Sequence, residues 1–62
     1  MSYTKGQKVA VSLHSVKDEP ATVVSVEEGV IYAYLDDRAL NDDTAAYPGM
    51  PLILLPAEVR PA

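Results

Sequence analysis

The stretch ATVVSVEEGVIYAYLDD, residues 21–37, alternates side-chain character on both sides of a Glu27-Glu28-Gly29 break. Period-2 alternation of this kind marks a half-buried strand. A glycine closing a two- or three-residue connection supplies the positive φ that a tight hairpin requires. The stretch therefore predicts an antiparallel hairpin, and with it an all-β domain. In the second arm Ile31, Ala33 and Leu35 form one face and Val30, Tyr32 and Tyr34 the other. The first set is a ready core face, which leaves the two tyrosines on the water side, about 7 Å apart by strand rise. In the first arm Thr22, Val24 and Val26 alternate against Val23 and Ser25. If Val24 and Val26 face the core, Val23 flanks the tyrosines.

Toward the N-terminus KVAVSL (residues 8–13) alternates again, setting Val9, Val11 and Leu13 against Lys8, Ala10 and Ser12. Gly6-Gln7 reads as the turn that launches this strand, after a flexible start over residues 1–5. HSVKDEP (residues 14–20) is polar and ends in proline, which predicts a loop. Toward the C-terminus DRALNDDTAAYPGM (residues 37–50) lacks helical periodicity and carries two turn signals, Asn41-Asp42-Asp43 and Tyr47-Pro48-Gly49. The second fits a type II turn, with proline at i+1 and glycine at i+2. A long irregular loop is predicted here, and such loops are commonly functional or mobile. PLILLP (residues 51–56) is a short apolar run bounded by prolines, predicting a fourth strand buried on both faces. A brief fifth strand is predicted around Val59 and Arg60.

Three segments together, GQKVAV (residues 6–11), the hairpin, and LILLPAEVRPA (residues 52–62), resemble the small SH3-like barrel, in particular the Tudor, KOW and related bacterial modules. The resemblance covers roughly residues 5–61 and implies one five-stranded SH3-like barrel domain over residues 1–62, with a long loop, 37–50, between strands three and four. It speaks for fold and hardly for function. The tail AYPGMPLILLPAEVRP (residues 46–61) is also similar in layout to that of the plasmid-encoded type II dihydrofolate reductases, SH3-like barrels that assemble as tetramers around a pore. The shared features are the Pro48-Gly49 turn, Ile53 and the Ala57–Arg60 exit. That family lines its pore with a Val-Gln-Ile-Tyr segment. Positions 51–55 here offer neither glutamine nor tyrosine, so what the resemblance implies is a tendency to oligomerise rather than the activity.

A chain of 62 residues makes one domain, buries only about 60% of its unfolded surface, and has a marginal core. Disulfides, a metal or self-association often compensate. Cysteine is absent, which removes disulfides and thiolate metal sites. The single histidine, His14, would need three carboxylates to complete a zinc site. Self-association or a protein partner is the remaining source of stability. With nine acidic residues against five basic ones and a net charge of -4, no basic stripe exists to track phosphates, so direct nucleic-acid binding is disfavoured. The opening MSYTKGQK holds no apolar core of a secretory signal, and no apolar run approaches the ~18 residues of a membrane span. The expectation is a cytoplasmic protein of bacterial or phage type, without membrane contact and without a cofactor.

The acids come as doublets, Asp18-Glu19, Glu27-Glu28, Asp36-Asp37 and Asp42-Asp43. Each sits where a turn or strand end is predicted, which is where acids favour turns and keep a small β-protein soluble. The spacing of a calcium loop is missing. Ser12, His14 and Ser15 are neighbours, but a nucleophilic triad needs a base and an orienting acid placed across space. No P-loop or dinucleotide-binding glycine set is present, so no catalytic residue and no metal ligand is assigned. The chemistry instead points to the tyrosine face. Tyr32 and Tyr34, with Val23, Tyr47, Leu52 and Leu54, would form an apolar patch of the kind that marks an interface. Asp36 and Asp37 beside the aromatic pair would help it hold a cationic side chain by cation–π attraction. The function expected is a non-enzymatic binding or assembly module, self-associating or meeting a protein partner. A pore-type enzyme like the type II reductases and an acidic decoy of a nucleic-acid-binding protein are the alternatives. Structural tyrosines covered by residues 37–50 are the plain reading of the same patch.

Overall fold

The computed structural model describes residues 3–62. Among them are five strands, β1 (Lys8–Leu13), β2 (Val16–Glu27), β3 (Val30–Leu35), β4 (Leu52–Leu54) and β5 (Val59–Pro61), with a short helix, α1 (Arg38–Thr44), and a single 3₁₀ turn, Pro56–Glu58. The hairpin forms as its sequence predicts. Glu27 pairs with Val30, and the two residues between them, Glu28 at φ 51 and Gly29 at φ 79, give the type I′ geometry that matches strand twist. All pairings are antiparallel, in the order β4-β3-β2-β1-β5.

β2 is the axis of the fold. Its first half pairs with β1, from Leu13↔Val16 to Lys8↔Thr22, and its second half pairs with β3, from Ala21↔Leu35 to Glu27↔Val30. One strand thus belongs to two layers, β5-β1-β2 and β2-β3-β4. Irregularities at Val11/Leu13 and at Val23/Ser25 bend the ladder as bulges do. Between the layers lie Val9, Val11, Val16, Ala21, Val23, Ile31, Ala33, Leu35, Leu52, Leu54 and Val59, all buried. Tyr3 packs against this core and donates its hydroxyl to the Val59 carbonyl at 3.2 Å. A turn at Thr4–Gln7, with Gly6 at φ 88, leads into β1. For Met1 and Ser2 the expected flexible start lies outside the described residues.

Several expectations are corrected. The 14–20 segment is no loop: His14 and Ser15 alone make the turn, and β2 already begins at Val16. Pro20 is accommodated inside β2 because its missing N–H would point past the end of β3, where its carbonyl accepts from Asp36 N–H at 2.9 Å. The 37–50 segment holds α1, which absorbs the supposed Asn41-Asp42-Asp43 turn, while the Tyr47-Pro48-Gly49 turn forms, with Gly49 at φ 87 and a 3.2 Å bond from Met50 N–H to the Tyr47 carbonyl. β4 is not buried on both faces, since Ile53 is exposed between buried Leu52 and Leu54. The expected barrel is an open five-stranded sheet, because β4 and β5 lie at its two ends and do not pair. Both are three residues long, and prolines 51, 56 and 61 limit their ladders. No helix among the described residues is long and apolar enough to cross a membrane.

Candidate interaction face

Residues opposite one another in an antiparallel pair share a face of the sheet. Tyr32 lies between Ser25 on β2 and Ile53 on β4, and Tyr34 opposite Thr22. The outer side of the second layer therefore carries Thr22, Ser25, Tyr32, Tyr34 and Ile53, with Val30 toward the hairpin end. Both tyrosines are half-buried, and Ile53 is 62% exposed.

Tyr34 is engaged within the chain. Its hydroxyl donates to the Gly49 carbonyl at 2.9 Å, and the Arg38 guanidinium lies 4.3 Å from its ring centroid. The cation expected for the aromatic pair is thus supplied by the protein's own helix. Asp37 is also used internally, as the N-cap of α1, accepting from Leu40 N–H at 3.2 Å. Asp36 pairs with Lys8 at 3.1 Å and accepts from the Thr22 hydroxyl at 3.0 Å. The Lys8 hydrogen bond holds the Asp36 carboxyl below its ordinary value against an opposing desolvation; Thr22 and the charges of Lys8 and Arg38 act in the same direction as that bond. Asp42 accepts from Gly49 N–H at 2.8 Å and so fixes the 47–50 turn. Among the described residues, no group of three or more His, Asp or Glu side chains is placed to hold a metal.

Three residues expected on the face lie in the core: Val23, Leu52 and Leu54 are buried. The β2 irregularity after Val23 explains the first. Val26 lies opposite core-facing Ile31, yet Val23 also faces the core, opposite Ala33, which strict alternation over three residues forbids. Tyr47 is 67% exposed. The residues missed are Ile53, Met50 and Leu55, the last 59% exposed. The signal for them was the pair of prolines around LILL, which marks an edge strand better than a central one. Beside β4 lies a notch of about 210 Å³, lined by Leu13, Ala45, Met50, Pro51 and Ile53 among others.

Asn41, expected from the sequence only as part of a turn, organises this region from within α1. It is fully buried; its Oδ1 accepts from Leu35 N–H and its Nδ2 donates to the Met50 carbonyl, both at 2.9 Å. One amide therefore ties α1 to the end of β3 and to the segment entering β4. No protein-family model, curated protein or solved structure matches this chain.

Proposed function

We propose that the protein is a non-enzymatic assembly module, whose contact surface is the uncharged 44–57 segment together with the outward side of Tyr32. The observation that carries this is a coincidence of charge and exposure. No Lys, Arg, Asp or Glu occurs between Asp43 and Glu58, and Tyr47, Met50, Ile53 and Leu55 are all exposed within that span. The other large exposed hydrophobic side chain among the described residues is Val26. Depletion of charge with aromatic and aliphatic residues at the centre is the composition of an interface core. The two layers sharing β2 are compatible with an SH3-like module, and a cysteine-free chain suits a reducing compartment such as the cytoplasm.

Light scattering behind size exclusion, on the parent and a Tyr47→Ser/Leu55→Asp variant, tests the reading. A species heavier than the monomer that reverts to monomer in the variant is the expected outcome. A parent that stays monomeric at the highest concentration reached would remove it. A complex with a basic protein that weakens in salt would instead favour the acidic decoy.

A further inference from the structure

The two open edges of the sheet are unlike. β5 carries Arg60, ion-paired with Asp18, and ends in Pro61, devices that blunt an edge against pairing. β4 carries neither charge nor proline within its span. Which of its backbone groups are free follows from the ladder. In antiparallel strands the N–H and C=O of one residue point to the same side, and sides alternate. On β3, Val30 is bonded toward β2 across the two-residue turn, and Asp36 N–H donates to Pro20. Residues 31, 33 and 35 therefore point the other way, as the bond from Leu35 N–H to Asn41 confirms. Ile31 and Ala33 thus exchange hydrogen bonds with Leu54 and Leu52. Ile53, between them, directs its N–H and C=O to the open side of β4.

We infer that a second copy of this chain pairs with β4 edge to edge, antiparallel, about a two-fold axis at Ile53. This rests on the assembly reading and adds its geometry. Each Ile53 donates its N–H to the other's carbonyl, closing a ring of two hydrogen bonds. The occupant is a second copy because the segment is self-complementary and uncharged. Two chains of net charge -4 repel elsewhere, and here the Glu58 carboxylates stand at the two ends of the contact, each held on its own Leu55 N–H, rather than opposite one another. In this register Leu55 of the second copy lies opposite Pro51, beside the notch that Met50 and Pro51 line. Each copy offers both the leucine and the notch, as an isologous contact requires. The pairing also stops at one ring. Pro51 has no N–H, and Leu55 N–H is held by the Glu58 carboxylate at 2.8 Å, so the contact closes as a dimer.

Amide hydrogen exchange of the parent protein, followed residue by residue across a dilution series with the solution mass measured alongside, tests this without a variant. Where nine-tenths of the chains are dimeric, Ile53 N–H should exchange about tenfold more slowly than in the monomer, because only free chains expose it. A dimeric mass with Ile53 exchange independent of concentration overturns the edge pairing and leaves the assembly reading standing. A monomeric mass throughout overturns both.

Discussion

Asn41 is the residue on which the outer face most depends, because a helix as short as α1 does not persist on its own propensity. Asn41→Ala leaves Leu35 N–H and the Met50 carbonyl without their partner. The expected loss is about 2–4 kcal/mol, out of a total of roughly 3–9 kcal/mol for a domain of this length, read as a lower urea midpoint. Asn41→Asp separates hydrogen bonding from shape. One carboxylate oxygen still accepts from Leu35 N–H, but the other meets the Met50 carbonyl and is tolerated only when protonated. That raises the folded-state pKa of the new group, so the variant should gain stability as pH falls toward roughly 4, whereas a carboxylate well paired in the fold loses it. Asp36 is of the second kind. Its lowered pKa gives a contribution present above the unfolded value and lost as pH falls through the folded one. Being exposed, it contributes less than ~1 kcal/mol, and Asp36→Asn should flatten the acid limb of the stability curve by that amount. Alternation placed Tyr32 correctly in the sequence. It could not show that Tyr34 is already occupied, since Arg38 and Gly49 reach it only through a helix whose anchor is a single buried amide.

The β2–β3 hairpin has a turn residue at odds with its conformation. Glu28 holds φ 51, a left-handed geometry that asparagine adopts more readily than glutamate. Glu28→Asn should therefore stabilise by about 0.5–1 kcal/mol, and Gly29→Ala destabilise by a similar amount, both visible as shifts in thermal midpoint. The same hairpin was the most legible element, because alternation and glycine point to one answer. β1 was legible for the first reason, and the 47–50 turn for its Pro-Gly pair. The β1–β2 turn was not, because His14-Ser15 contains no residue that favours positive φ. α1 was hidden because Asp37 capping and Asn41 burial hold it, with no apolar periodicity to announce it. The faces of β2 were misread because an irregularity at Val23/Ser25 resets the alternation that the prediction carried through it.

For the molecule as a whole, charge and assembly oppose each other. If copies of net charge -4 meet at the uncharged 44–57 segment, salt screens the repulsion between the remainders while leaving the apolar contact intact. Dimerisation should accordingly tighten as ionic strength rises, measurable by sedimentation equilibrium, and the thermal midpoint should rise with protein concentration. The single strand common to both layers bears on how the chain comes apart. A two-layer fold built from separate hairpins has a seam along which one half can leave first. Here Ala21 and Thr22 are paired to β1 on one side and to β3 on the other, and breaking either ladder there loosens the other. Such a molecule has no partly open resting place; the tyrosine fluorescence of a Tyr3→Phe variant, which watches β3 and the segment entering β4, and far-ultraviolet dichroism, which watches both layers, should trace the same curve.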